Sequence, residues 1–142
     1  MKLRQAEVSL KTESKLQIIN ITRNILQVVE NSGLKNGFAV IHIPHTTAGL
    51  AVNEADPDLW EDIIEALTRI VPVKGRYRHN LKYSGVPSEQ NAHAHILNCL
   101  LRSTVALPFY NGQLALGTWQ SILFVELDGP RSRRVNVTLY GE

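Results

Sequence analysis

Cysteine occurs once in this chain of 142 residues, as Cys99. No intrachain disulfide can form, and one reason to place the protein outside the cell disappears. Long apolar runs are missing as well. No stretch approaches the roughly 20 apolar residues of a membrane helix, and the charged start Met1 to Gln5 is not followed by the apolar segment of a secretory leader. A cytoplasmic protein with no membrane partner is expected. Charge of one sign is also scarce: fifteen Lys and Arg against thirteen Asp and Glu leave a formal charge of +2. That is too little for a nucleic-acid binder working by counterion release.

Hydrophobic residues make up 44% and charged residues 20%, which excludes disorder as the default and suits one globular domain over residues 1–142. Such a chain buries roughly 68% of its unfolded surface, enough for a core without staples. Gln5 to Leu10 alternates as a first strand with Ala6, Val8 and Leu10 on one face. Ile18, Ile21, Ile25, Val28 and Val29 then follow a helical period that Asn31-Ser32-Gly33 ends. Gly37 to Ile43 reads as a strand with Ala39, Ile41 and Ile43 on one face, closed by Pro44. His45-Thr46-Thr47 connects it to a second strand, Ala48 to Val52.

Asp56 suits a helix N-cap and Pro57 the first helical position, so a second helix runs to about Val71 with Trp60, Ile63, Ile64, Leu67 and Ile70 inward. Asp58, Glu61 and Asp62 serve its positive end. Val73 to Pro87 reads as a long polar loop, and loops of that length are commonly functional. Ser88 to Arg102 reads as a third helix. Strands near Thr104 to Phe109, Gln113 to Leu116, Thr118 to Leu127 and Arg134 to Tyr140 complete an antiparallel meander. The fold class is α+β, an antiparallel two-sheet sandwich with three helices on one side.

Asn111-Gly112 is a hairpin turn signal because both residues tolerate positive φ. Gly117 interrupts the returning arm, either as a bulge beside a core Trp119 or as a close backbone approach at a site formed by Thr118, Trp119 and Gln120. None of the five histidines forms a local metal motif. His93 falls on the apolar side of its helix, whereas His95 shares a polar side and either meets solvent or lines a cleft or subunit contact. Glu54 precedes the Asp56 cap, near His45 if the two preceding strands form a hairpin. Arg131, Arg133 and Arg134 are the densest basic group, suited to a phosphate or to a charged edge strand.

Gly112-x-x-x-x-Gly117-Thr118-Trp119-Gln120, His45-Thr46-Thr47-Ala48 with Asn53-Glu54, Tyr77-Arg78-His79, His95-Ile96 and Arg133-Arg134 before the last strand together resemble the YjbQ family. The resemblance covers nearly the whole chain. It departs at Arg102, where the family often has glycine, and this bears on the substrate more than on the fold. The resemblance implies a compact sandwich assembled as a homotrimer. It also implies an open zinc or similar divalent-metal site of His45, His79 and His95. Glu54 would then orient His45 or act as a general base, with Thr118, Trp119, Gln120, Arg133 and Arg134 at a small phosphorylated substrate. The activity implied is thiamine phosphate synthase-like, joining a pyrimidine diphosphate to a thiazole phosphate with loss of pyrophosphate. Metal-dependent hydrolysis and a non-catalytic trimer binding metal or an anion are the alternatives.

Overall fold

Alternation of buried and exposed side chains builds most of the molecule from strands, and a computed structural model describes residues 1–142. In chain order the elements are β1 (Lys2–Lys11), β2 (Gln17–Asn20), α1 (Thr22–Ser32), β3 (Gly37–His42), β4 (Ala48–Asn53) and α2 (Pro57–Ile70). There follow α3 (Arg78–Lys82), α4 (Ala92–Asn98), β5 (Thr104–Tyr110), β6 (Gln113–Leu114), β7 (Ser121–Glu126) and β8 (Ser132–Gly141). Two antiparallel sheets form, one in the order β1-β8-β3-β5-β6 and the other β2-β7-β4.

The larger core lies between the five-stranded sheet and the layer of β4, β7 and α1. It joins Ala39, Ile41, Val135, Val137 and Leu139 to Leu50, Phe124 and Ile25. β7 is covered on both faces, which explains its unbroken apolar run. Ile122 and Phe124 enter this core while Leu123 and Val125 join a second one under α2 and α4. The other face of the five-stranded sheet has no helix over it, and Phe38, Val40 and Tyr140 are exposed there.

Several expected boundaries move for identifiable reasons. Ile18 belongs to β2, which pairs with β7, and α1 starts only at Thr22, where Asn20 Oδ1 accepts from the Thr22 backbone N–H at 3.0 Å. Strand and helix periods overlap there, so Ile18 fitted both. α2 forms as expected, with Asp56 Oδ1 accepting from the N–H of Asp58 at 3.0 Å and of Leu59 at 3.4 Å. The expected loop contains α3, giving four α-helices. The helix expected over Ser88 to Arg102 is confined to α4, with a short 3-10 turn before it at Pro87–Glu89. The last strands are not a meander: β7 crosses to the smaller sheet, and β8 inserts between β1 and β3.

Asn111 and Gly112 take positive φ values of 52° and 76°, as the β5–β6 turn requires. The paired register ends at Leu114, followed by one last backbone bond to β5 from the Ala115 N–H to the Pro108 carbonyl at 2.9 Å. No helix is long and apolar enough to cross a membrane.

Candidate functional site

β4 divides the candidate residues between two ends of the molecule. Its first residue, Ala48, pairs with Glu126, and its last, Asn53, pairs with Ser121. Five steps at the rise of a strand, from Ala48 to Asn53, separate the ends by about 17 Å. His45 precedes the strand and Glu54 follows it. β3 and β4 lie in different sheets, so Pro44 to Thr47 is a crossover and not the expected hairpin, and the length of β4 by itself keeps Glu54 away from His45. The expected pairing of these two side chains within one chain is corrected accordingly.

At the first end, His45 Nε2 accepts from the Arg134 backbone N–H at 3.1 Å. That bond leaves Nδ1 as the nitrogen bearing the proton in the neutral ring. Burial lowers the pKa of His45, and the Arg133 and Arg134 charges lower it further, so the ring is neutral at physiological pH. Asn98, at the end of α4, holds the crossover by donating from Nδ2 to the Ala48 carbonyl at 2.7 Å. His45 opens on a cavity of about 530 Å³ whose wall includes Ser9, Lys11, Ser132 and Arg134, with Glu7 as its carboxylate.

Beneath this cavity lies a buried ion pair. Arg133 alternates inward with Val135, Val137 and Leu139, and is 6% exposed. Its Nε donates to Glu126 Oε1 at 2.8 Å, and one terminal nitrogen donates to Glu126 Oε2 and to Thr47 Oγ1 at 2.9 Å. Glu126 also accepts from Thr12 Oγ1 at 2.7 Å and from the Leu127 N–H at 3.0 Å. Burial alone would raise the Glu126 pKa, but the bonds from Arg133, Thr12 and the Asp128 N–H outweigh it and the net shift is downward. Arg133, expected at a phosphate, therefore braces the floor, while Arg134 faces outward.

A second cavity of about 270 Å³ lies on the same end, lined by Arg76, Tyr77, Arg78, His79, His95 and Ile96. His79 Nδ1–H donates to Asn80 Oδ1 at 3.1 Å, leaving its Nε2 lone pair without that partner. The His79 and His95 rings lie 5.0 Å apart between centroids. Burial lowers the His95 pKa, and the neighbouring His79 lowers it further. The expected three-histidine metal set is thus divided: His79 and His95 converge, while His45 is turned to Arg134. No group of three or more His, Cys, Asp or Glu side chains is placed to hold a metal ion. Two imidazoles fall short of the three protein ligands of an open zinc site, so the donor set within one chain does not fit that ion.

The far end holds Glu54, whose carbonyl accepts from Trp60 Nε1 at 3.0 Å, and the turn Thr118 to Gln120. Gln120 Oε1 accepts from the Gly117 N–H at 2.8 Å and so shapes a turn at Gly117, where either a bulge or a close backbone approach was expected. Trp119 is not a core residue; it is 74% exposed. Sequence reasoning missed Lys11, Ser9 and Ser132 at the His45 cavity and Glu126 beneath it. Glu126 carried a signal, since a lone carboxylate ending an apolar strand needs a buried partner.

Fold and site together define a small two-sheet α+β protein with an imidazole- and arginine-bearing end. A family model described as UPF0047 protein YjbQ-like matches residues 6–142, and the chain belongs to that family. It is 42% identical over 131 residues to a UPF0047 protein of Archaeoglobus fulgidus, covering 92% of this chain and 97% of the relative. It is 35% identical to the UPF0047 protein YugU of Bacillus subtilis over 94% of this chain and 97% of YugU. The crystal structure of a hypothetical protein from Aeropyrum pernix superposes with a TM-score of 0.91 at 42% identity, covering 98% of this chain and 99% of that one.

Proposed function

We propose that the protein binds and acts on a small phosphorylated metabolite in the cavity between His45 and Arg134. The observation that supports this most directly is the outward Arg134 beside Lys11 and a neutral His45, over a floor already neutralised by the Arg133–Glu126 pair. With Arg133 and Glu126 paired below, the exposed guanidinium and ammonium outnumber the one carboxylate of the wall, Glu7, and this suits a phosphate. His45 Nδ1–H adds a donor that could follow charge onto a departing phosphate oxygen. The thiamine phosphate synthase-type reaction, in which pyrophosphate departs, is the first candidate chemistry. No step is assigned to a metal.

The second reading is a non-catalytic protein that holds a metal or anion, and the converging His79 and His95 rings favour it. Calorimetric titration with inorganic phosphate and pyrophosphate tests the first reading. Arg134→Ala removes a charge-assisted bond and should weaken binding about 10- to 100-fold. It keeps the backbone N–H that holds His45. No binding to the wild type, or equal binding to the variant, refutes the assignment. Turnover of a phosphorylated substrate separates the two readings. Elemental analysis of the wild type beside His45→Ala, His79→Ala and His95→Ala reports whether any metal depends on these rings.

A further inference from the structure

We infer that the phosphate cavity continues into a polar trough on the uncovered face of the five-stranded sheet, and that this trough selects a phosphate ester with a hydroxyl-rich body, such as a sugar phosphate. The inference rests on the reading of the His45 and Arg134 cavity as the phosphate site, and it names the rest of the ligand. A further cavity of about 500 Å³ has Gln5, Glu7, His42, Asn136 and Thr138 in its wall. Glu7 also lines the Arg134 cavity, so the two are neighbours on one face.

Strand register explains the trough. Glu7 stands opposite Asn136, Asn136 opposite His42, and His42 opposite Thr104, which makes one row across β1, β8, β3 and β5. Gln5, Thr138 and Val40 make the next row. Directly opposed residues project from the same face of a sheet. β8 runs between β1 and β3 and contributes the short side chains Asn136 and Thr138, both half-buried, between longer ones on either side. Short side chains between taller neighbours leave a groove. Arg134 stands at its head, two residues before Asn136 and about 7 Å from it along the strand. Beyond Thr138 the row of Leu3, Tyr140 and Phe38 ends the groove with apolar side chains.

The chemistry changes along this line. Lys11 and Arg134 supply cations at the head. Past them stand the Glu7 carboxylate, an acceptor, and the Gln5 and Asn136 amides and Thr138 hydroxyl, each both donor and acceptor. His42 is held by a bond of 2.8 Å between Nδ1 and Thr104 Oγ1, which leaves Nε2 for a ligand. Hydroxyl groups answer such a wall, because each can donate to the carboxylate while accepting from an amide. No Phe, Tyr or Trp lines the trough, so a flat heteroaromatic ring finds no face to stack on.

The test is calorimetric titration of the full chain with inorganic phosphate, ribose 5-phosphate and phenyl phosphate. Ribose 5-phosphate should bind about 10- to 100-fold more tightly than inorganic phosphate, as two or three added hydrogen bonds allow, and phenyl phosphate less than about 3-fold more tightly. Asn136→Leu fills the groove and should erase the gain, while the isosteric Thr138→Val should reduce it about 3- to 10-fold. Both variants should keep the affinity for inorganic phosphate, which Arg134→Ala weakens. Equal binding of ribose 5-phosphate and inorganic phosphate overturns the inference and leaves the phosphate site standing. So does a gain that survives both Asn136→Leu and Thr138→Val. Phenyl phosphate binding as tightly as ribose 5-phosphate overturns the hydroxyl-rich body. Ribose 5-phosphate binding that Asn136→Leu abolishes and Arg134→Ala leaves unchanged keeps the trough and removes the phosphate assignment instead. Failure of all three ligands to bind removes both.

Discussion

Replacing Arg133 by Met isolates what the buried ion pair contributes. Glu126 is 0% exposed and loses the two guanidinium bonds that now satisfy it, while Thr47 loses a donor. Breaking one side of such a pair costs about 3 to 5 kcal/mol, because a carboxylate remains buried without its counter-charge. For a chain of this length that corresponds to a fall in Tm of about 10 to 20 °C, compared at one protein concentration. The pH dependence gives a sharper check. In the wild type the Glu126 pKa is lowered, so the unfolded chain binds more protons in acid; the stabilisation is present above the ordinary carboxylate value and is lost as pH falls through the lower folded value. Without Arg133, burial pushes the same carboxyl upward, and acid relieves the variant by protonating it. The gap between wild type and variant, measured by urea unfolding at pH 7 and pH 4, should narrow. Adding Glu126→Gln to Arg133→Met should recover about 2 kcal/mol or more at pH 7, because the charge is gone while an oxygen acceptor remains. A loss below about 1 kcal/mol, or a gap independent of pH, refutes the reasoning.

His93 is buried and donates from Nε2–H to the Leu127 carbonyl at 2.9 Å, and burial lowers its pKa. The unfolded chain therefore binds the extra proton, and unfolding free energy should fall as pH drops below the ordinary histidine value. Urea titrations at pH 7.5 and 5.5 should show the fall, less steep in His93→Gln; equal slopes would contradict it. Asp56→Ala removes the side-chain cap of α2 and should cost about 1 kcal/mol, read as a Tm shift of a few degrees. A shift of zero would mean that Pro57 and the Trp60 bond to Glu54 hold the helix start by themselves.

The fold was legible wherever one local rule acted alone. Asp56-Pro57, Asn111-Gly112 and the shared face of Ala39 and Ile41 each named an element that the structure contains. It was less legible where two rules agreed with different answers. Ile18 fits both a helical stripe and a strand, and only its pairing with Val125 decides for the strand. The five-residue α3 has no apolar period to announce it, and its sequence Arg-His-Asn-Leu-Lys reads as a loop. Strand order was hidden because β8 reaches its neighbours from the far end of the chain, with Val137 opposite both Ala6 and Ile41.

The candidate site shows the same limit in another form. Motif residues announce their chemistry but not which end of a strand they occupy, and β4 carries one group at each end. Parity would have separated Arg133 from Arg134, since a residue two before Val135 on a strand shares its buried side. The same reading would have separated Glu54 from His45, since the residues between them form one extended strand and leave the two at its opposite ends whichever sheet receives it. The length of β4 separates Glu54 from the basic cavity, and the pairing of Asn53 with Ser121 places the Trp119 turn on the same far side.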